Sequence, residues 1–277
     1  YDFENYRYHL GPDIQVGNIY PVMYAKTFFD GMKAEGQENI INLLRCAWAG
    51  SQKYGALVWS GDIKSSFPSM KNQVAAGLNM GIAGIPWWTT DIGGFFGANI
   101  NDPEFHELLV RWFEYGCFCP VMRLHGYRWP LQPQYGTTGG ATCVSGAPNE
   151  VWSYTDQVCE ILSDYLRLRE RMLPYITELM EEAHEKGTPV MRPLFYDFPE
   201  DKESWNVETE YMFGPKVLVK PITDADARET DVYLPGGASW TNAWTGETFE
   251  GGQKVHVAAP IEQIPLFTRD GYKLPMK

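Results

Sequence analysis

Up to about residue 187, helical stretches alternate with short apolar runs that end in polar, glycine-rich turns. Apolar residues three and four positions apart predict a helix, whereas a short unbroken apolar run predicts a buried strand. The predicted helices are 18–35, 70–79, 102–115 and 149–186, the last of them interrupted near Pro174. The predicted strands are 40–47, 56–60, 84–89 and 120–124.

This alternation of strands and helices favours a parallel sheet covered by helices. Four strand–helix units amount to about half of a (β/α)₈ barrel. Half a barrel leaves sheet edges unpaired, and the chain begins with Tyr1 rather than Met. We therefore expect a fragment of a larger barrel protein, or a processed chain.

From residue 188 onward the pattern changes to short β-type runs separated by Gly, Pro, Asp and Asn turns. The predicted strands of this region are 190–193, 216–221, 230–234, 239–242, 254–258 and 264–268. Many short strands with frequent turns predict a small sandwich. The predicted fold is thus α/β, with about half of a (β/α)₈ barrel at residues 1–187 and a small all-β sandwich domain at residues 188–277.

The charge excludes two classes of partner. The net charge is −12 over 277 residues, which would repel nucleic acid and anionic membranes. No apolar run approaches the roughly 20 residues that span a bilayer. We expect neither a nucleic-acid partner nor a membrane, and the sequence leaves open whether the protein forms a homo-oligomer.

The five cysteines include no CxxC pair, and Cys117 and Cys119 are spaced poorly for a disulfide or a zinc site. Free thiols in a reducing compartment are the expected state, so we predict a cytoplasmic protein. With five histidines, none at ligand spacing to a cysteine pair, no metal is expected, and no cofactor either.

Aromatic residues make up 14% of the chain, including 10 Trp and 16 Tyr. One interpretation is a tryptophan-rich core. The other is a sugar site, where flat rings pack against the C–H faces of a pyranose. Composition alone does not decide between the two.

Chemistry-bearing residues follow the predicted barrel strands in order. They are Arg45, then Trp59 to Asp62, then Trp87 to Phe95, then Arg123 to Gly126. Catalytic residues of a barrel lie at these carboxyl ends. Carboxylates and cations beside aromatic rings are the mixture that a sugar requires, because its hydroxyls bind charged groups and its C–H faces bind rings.

Each of these residues has an ordinary structural explanation when taken alone. Asp62 and Asp91 both neighbour glycine turns, His125 is compatible with a core histidine, and Arg45 with a structural ion pair. Trp87 and Trp88 are more often packing residues. Only their coincidence at successive strand ends favours a binding site.

Four ordered motifs resemble glycoside hydrolase family 31. The segment RCAWAGSQKYGALVWSGD (45–62) is similar to the family segment that ends in the general acid/base. PWWTTDIGGF (86–95) and RLHG (123–126) resemble the next strand end and the last barrel strand. GTPVMRPLFYDFPED (187–201), followed by EYMFGPKVLVKPI, resembles the junction into the C-terminal β-sandwich. The resemblance extends over nearly the whole chain. It implies that residues 1–187 are the second half of a (β/α)₈ TIM barrel, with strands 5–8 and their helices, and that residues 188–277 are the β-sandwich that follows it.

The resemblance implies a role for each matching residue. Asp62 is the implied general acid/base, and Asp91 an implied sugar-binding or orienting carboxylate rather than the nucleophile. The implied substrate-binding residues are Arg45, Trp59, Trp88, Asp91, Phe95 and His125, with Arg45 and His125 on hydroxyls and Trp88 and Phe95 as wall residues.

The resemblance also implies that one group is missing. A retaining glycosidase uses two carboxyl groups about 5–5.5 Å apart, and the family nucleophile ends the fourth strand. The upstream acids here do not follow an apolar strand; they are Asp2, Glu4, Asp13 and Asp30. We expect the nucleophile to precede Tyr1 and the 277-residue chain alone to be nearly inactive.

The function expected from the resemblance is retaining hydrolysis of non-reducing terminal α-linked xylosyl or glucosyl residues. The spelling of the motifs leans slightly toward bacterial α-xylosidases. The alternatives are a non-catalytic carbohydrate-binding fragment and a metal-dependent amidohydrolase. The latter needs several strand-end histidines, and the chain offers His125.

Overall fold

The computed structural model describes residues 3–276, which form helices and short strands in the order that the sequence predicts. The helices are α1 Asp13–Val16, α2 Tyr20–Ala34, α3 Phe67–Ile82, α4 Pro103–Cys117, α5 Asp156–Arg171, α6 Leu173–Lys186 and α7 Leu194–Asp197. The strands that precede α5 are β1 Arg7–Tyr8, β2 Gly11–Pro12, β3 Asn42–Leu44, β4 Ala56–Trp59, β5 Trp88–Thr89, β6 Ala98–Asn99 and β7 Arg128–Trp129. The later strands are β8 Met191–Pro193, β9 Tyr211–Phe213, β10 Val217–Val219, β11 Glu229–Leu234, β12 Ser239–Asn242, β13 Thr248–Glu250, β14 Gln253–Ala258 and β15 Leu266–Arg269.

Strands β3, β4 and β5 form the predicted parallel sheet. The fourth predicted strand, 120–124, is reduced to a single parallel bridge between Ile92 and Leu124. Two hydrogen bonds align it with the preceding segment, from Val121 N to Trp88 O at 3.1 Å and from Ile92 N to Arg123 O at 3.3 Å. Because this segment pairs on one side among the described residues, its ladder stays irregular.

The helix ends follow their capping residues. Asp102 accepts a hydrogen bond from Glu104 N and precedes Pro103, the first residue of α4, as the sequence predicts. The predicted interruption near Pro174 falls at Met172, between α5 and α6. Gly187 ends α6 with a φ of 72°, a left-handed conformation that glycine adopts without a Cβ clash. Within residues 3–276, no helix is long and apolar enough to cross a membrane.

A six-stranded antiparallel sheet, in the order β13-β12-β15-β10-β9-β8, forms the centre of the C-terminal half. Its central strands are buried on both faces. Val217 and Val219 of β10 join the helix-covered core, whereas Leu218 between them joins a second core. A strand that is buried on both faces has a continuous apolar sequence rather than an alternating one. This explains why β10, with the sequence Val-Leu-Val, has no polar residue.

The second layer is the antiparallel pair β11–β14, in register from Glu229–Ala258 to Leu234–Gln253. Val232, Leu234 and Val255 pack against Trp240 and Phe267 of the large sheet, which completes the predicted sandwich. All six predicted strands of this region are present, with ends shifted by up to two residues. The sequence reasoning missed β9 and β13, which have three residues each.

A buried arginine joins the barrel helices to the β-domain. The Arg111 side chain on α4 is fully buried. It donates to the carbonyl oxygens of Ala259 at 2.6 Å, Ala227 at 3.0 Å and Pro260 at 3.1 Å, and to the Glu114 carboxylate at 3.1 Å. Since these carbonyls lie outside strand ladders, the guanidinium supplies the donors that buried backbone oxygens require.

We expect Arg111→Met to lower the free energy of unfolding by about 3 kcal/mol, because it removes every hydrogen bond that this buried guanidinium donates to backbone carbonyls and to the Glu114 carboxyl. Arg167→Met is the control. Its exposed ion pair with Asp164 should contribute less than about 1 kcal/mol. Urea unfolding followed by tryptophan fluorescence compares the two, and equal losses would contradict the joining role of Arg111.

Glu114 gives the same interface a pH dependence. Burial raises the pKa of Glu114 to about 8, against the lowering effect of Arg111 and of the hydrogen bond from Tyr165. The folded chain therefore holds this proton more tightly than the unfolded chain, where the pKa is near 4.5. The stability contribution is complete below the unfolded pKa and is lost as the pH rises toward 8.

Glu114→Gln should remove this contribution. We expect the variant to lose less stability than the parent chain between pH 5 and 8, with a slope difference of at most about 1.4 kcal/mol per pH unit. Urea midpoints at several pH values provide the measurement. Glu104→Gln, at an exposed carboxylate of the same helix, is the control, and an unchanged slope for Glu114→Gln would sink the assignment.

Candidate active site

Backbone hydrogen bonds bring three of the predicted strand ends to one rim. Phe95 N donates to Ile63 O at 2.7 Å, directly after Asp62, and Tyr127 N donates to Phe95 O at 2.6 Å, two residues after His125. A parallel bridge between Lys64 and Phe96 continues the first contact. The segments that follow β4, β5 and the 121–124 strand therefore run side by side.

Arg45, Trp59 and Asp62 form the first group of this rim. Arg45 follows β3 and donates from Nη2 to Asp62 Oδ2 at 2.9 Å. Its guanidinium carbon lies 5.3 Å from the centre of the Trp59 ring, within cation–π range. The side chains of Arg45 and Asp62 are 63% and 43% exposed. The Asp62 carboxyl is therefore both oriented and accessible, as a group that exchanges protons with a ligand and with water must be.

Asp91 has the opposite environment. It is fully buried and forms an ion pair with Arg123. Burial raises the pKa of Asp91, and the nearby positive charge of Arg123 opposes that effect. An Asp91 that is held by a cation in the interior is suited to orienting neighbouring groups rather than to shuttling protons.

Several polar atoms near the end of β5 have no hydrogen-bond partner among residues 3–276, although they are buried. They are Trp87 Nε1, Thr89 Oγ1, Thr90 Oγ1 and Asp91 Oδ2. Buried polar groups are nearly always paired, so a local concentration of unpaired ones marks a place where a ligand or further chain supplies partners. This cluster adjoins the Asp62 rim, because Ser60 Oγ accepts from Asp91 N at 3.2 Å.

A row of rings follows on the same rim. The Phe95 ring lies 5.5 Å from the His125 ring and 6.5 Å from the Tyr127 ring, with interplanar angles of 30° and 22°. Phe95 and Tyr127 are half-buried and His125 is exposed. The row offers one flat apolar surface and an imidazole with accessible nitrogen atoms, the two contacts that a pyranose accepts.

The structure places one predicted site residue elsewhere. Trp88 is 4% exposed and lies in the main core, where a Cβ on Gly77 of α3 would approach its ring to 2.8 Å. The expected wall position of Trp88 therefore does not agree with its packing, because the residue points from the sheet toward the covering helix. Its neighbours Trp87 and Thr89 lie on the opposite side of this strand, since successive side chains alternate.

Sequence reasoning also left out residues of this group. Arg123 belongs to the RLHG motif but received no role, and Tyr127 was not considered. The sequence does contain a signal for Arg123. It is two positions from His125, and residues two apart on a strand share a face, so the two side chains are expected on the same side. Asp30 pairs with Lys26 on α2, and Asp13 begins α1 directly after β2, a two-residue strand of an antiparallel pair. Neither therefore follows a parallel strand of the barrel sheet, and Asp2 lies outside the described residues. Within 3–276, no cluster of three metal-ligating side chains is found.

Family models match both halves of the chain. The TIM-barrel domain of glycosyl hydrolases family 31 matches residues 3–179, and the C-terminal domain of the same family matches residues 187–274. The chain belongs to glycoside hydrolase family 31. Its fold is accordingly part of the family TIM-barrel domain followed by the family C-terminal domain.

Curated members of family 31 extend well beyond this chain. An α-xylosidase of Saccharolobus solfataricus is 37% identical over 267 residues, which cover 96% of this chain and 34% of that protein. α-Xylosidase A of Aspergillus niger is 35% identical and covers 95% of this chain and 38% of its own length. The family 31 chain thus spans about a third of these relatives.

Solved structures agree with this relationship. A family 31 α-xylosidase from a soil metagenome, crystallised in complex with xylose, is 56% identical, with a TM-score of 0.94. The match covers 99% of this family 31 chain and 41% of that structure. A family 31 α-xylosidase from Xanthomonas citri matches with a TM-score of 0.86 at 35% identity, over 96% of this chain and 28% of that one.

The two rim carboxylates should differ in their effect on stability. We expect Asp91→Asn to lower the free energy of unfolding by about 2 kcal/mol, because it removes the charged partner of Arg123 in the interior. Asp62→Asn should change it by less than about 1 kcal/mol, since its pair with Arg45 is exposed. Thermal and urea unfolding of both variants test this contrast, and a larger loss for Asp62→Asn would overturn it.

Proposed function

We propose that this chain carries the acid/base side of the active site of a retaining α-glycosidase that removes non-reducing terminal α-linked xylosyl residues, with glucosyl residues as the second candidate. The observation that carries the proposal is the position of Asp62. Its carboxyl lies at the accessible end of a parallel barrel strand, oriented by Arg45 and beside Trp59.

In the proposed first step, Asp62 donates a proton to the glycosidic oxygen while the bond from that oxygen to the anomeric carbon breaks. A nucleophilic carboxylate from another barrel strand, which we expect upstream of Tyr1, forms a new bond to the same carbon. In the second step, Asp62 takes a proton from water as the water oxygen displaces the carboxylate. Configuration is retained because the carbon is inverted twice.

The remaining rim residues bind the sugar in this proposal. Arg45 and His125 donate to hydroxyl groups, and Asp91 accepts from them or orients Arg123 toward them. Phe95 and Trp59 contact the C–H faces of the ring. Trp88 is left out of the proposed binding set because it is buried against α3.

Xylose is the preferred sugar of the proposal because several similar proteins are named α-xylosidases, among them a structure that holds xylose. Relatives named α-glucosidases exist at comparable identity, such as α-glucosidase 2 of Bacillus thermoamyloliquefaciens at 34%. Xylose lacks the hydroxymethyl group of glucose, so the choice depends on the room beside that carbon of the ring.

The proposal also covers the location and the assembly of the protein. A cytoplasmic location rests on the cysteines, all five of which are free thiols in this structure. The division into a half-barrel at 1–187 and a sandwich at 188–277 is proposed on the change of pattern at Gly187. Carbohydrate is the proposed ligand. Sedimentation measurements test whether the chain forms a homo-oligomer.

The test uses a barrel-complete protein, meaning residues 1–277 preceded by the strands that close the barrel. We expect it to hydrolyse 4-nitrophenyl α-xyloside faster than the α-glucoside, and Asp62→Ala to lower kcat/KM on an alkyl xyloside by at least about 100-fold. The loss on the activated aryl xyloside should be much smaller, because that leaving group needs little protonation. Asp164→Ala, at an exposed carboxylate of α5, is the matched control.

Other outcomes decide between the alternatives. Equal losses on both classes of substrate would remove the acid role from Asp62. Sugar binding without hydrolysis by the barrel-complete protein would favour a carbohydrate-binding function. Clear turnover by the 277-residue chain alone would place the nucleophile among its own residues, contrary to the proposal.

A further inference from the structure

A second buried arginine lies directly beneath the proposed sugar site. Arg128, on β7, is fully buried, and every nitrogen of its guanidinium donates a hydrogen bond. Nη1 donates to Gly94 O at 2.7 Å, Nη2 to Ile92 O at 3.1 Å and Nε to Asn149 Oδ1 at 3.0 Å. Nη1 also lies 3.4 Å from Phe95 O.

The three carbonyl acceptors, those of Ile92, Gly94 and Phe95, belong to the turn that joins Asp91 to Phe95. The turn has left-handed glycines at Gly93 and Gly94, with φ of 85° and 75°. Backbone carbonyls that point together into the interior repel one another and need donors. A planar guanidinium satisfies several of them at fixed angles, which an ammonium cannot do.

The surroundings are shaped to the guanidinium. A Cβ on Gly126 would approach the Arg128 Cζ to 2.4 Å, and one on Gly93 would approach Nη2 to 2.9 Å. The Phe105 ring lies 4.9 Å from Cζ. No carboxylate forms an ion pair with Arg128 within residues 3–276, so the charge is held by carbonyl and amide dipoles and by the ring.

We propose that Arg128 is a positioning residue that fixes the Asp91–Phe95 turn, and thereby sets Asp91 and the Phe95 ring for sugar binding. Asp91 and Phe95 are the two ends of the turn, and both belong to the proposed site. Gly126 lies between His125 and Arg128, so the same packing restrains the strand that carries the imidazole. The inference rests on the proposed function for its catalytic consequence but not for its structural one.

The structural consequence is testable without substrate. We expect Arg128→Met to speed hydrogen–deuterium exchange in the peptide 91–96, whose amides of Ile92, Gly94 and Phe95 are hydrogen-bonded in this structure. Arg128→Lys should give an intermediate rate, because the ammonium keeps the charge but cannot reach Gly94, Ile92 and Asn149 together. Arg111→Met is the matched control, since Arg111 is equally buried but joins α4 to the β-domain.

The catalytic consequence is measured on the barrel-complete protein at a temperature where circular dichroism shows every variant folded. Misplacing binding groups by about 1 Å reduces rates on the order of 100-fold. We expect Arg128→Met to lower kcat/KM for 4-nitrophenyl α-xyloside by about that factor, through both KM and kcat. Arg128→Lys should recover part of the loss, and Arg111→Met should stay within about twofold of the parent.

The outcomes separate the inference from the proposed function. If Arg128→Met loses stability as Arg111→Met does, while kcat/KM and the exchange of 91–96 stay at parental values, the positioning role is overturned. If the parent protein hydrolyses no α-glycoside, the proposed function fails, and the exchange of peptide 91–96 still decides whether Arg128 fixes the turn.

Discussion

The burial of both faces of one antiparallel sheet is the constraint on which the rest of this structure depends. In β9, Tyr211 and Phe213 pack into the helix-covered core, whereas Met212 packs against the β11–β14 layer. Each fully buried apolar side chain of this kind contributes about 1.5–3 kcal/mol. One sheet therefore serves two cores, with the barrel helices packed on one face and the β11–β14 layer on the other. Val58 and Trp88 of the parallel strands lie in the same core as the barrel helices.

Arginine side chains bind backbone carbonyls where regular ladders end. The fully buried Arg111 and Arg128 and the half-buried Arg169 each donate to carbonyls of loops or segment ends. Arg169 donates to the carbonyls of Cys117, Cys119 and Pro120. Burial lowers the pKa of Arg128 and of Arg169, because the interior disfavours the charged form. The dense hydrogen bonding offsets that penalty. Irregular segments near the site are thus held by side chains rather than by sheet pairing.

Elements with strong local signals could be predicted from the sequence. The caps and periodicity of α4, the proline near the α5–α6 break and the apolar run of β4 are all properties of neighbouring residues. Strands of two or three residues, such as β9 and β13, carry too few positions for a period to appear. The choice between Trp87 and Trp88 depends on the register of a two-residue strand against a helix. A shift of one residue exchanges the faces on which the two tryptophans lie, and the neighbouring sequence does not determine the register of so short a strand.

The proposed roles of the two rim aspartates follow from their environments rather than from residue type. Both aspartates follow predicted strands and both neighbour glycine turns, so the sequence without the family resemblance would suggest Asp62 and Asp91 as a catalytic pair. In the structure, Asp62 is accessible and paired with an exposed arginine, whereas Asp91 is buried and tied to Arg123. A group that alternately donates and accepts a proton must reach both the leaving group and water. Asp62 meets that requirement. Asp91 is buried instead, at the start of the turn whose carbonyls bind Arg128.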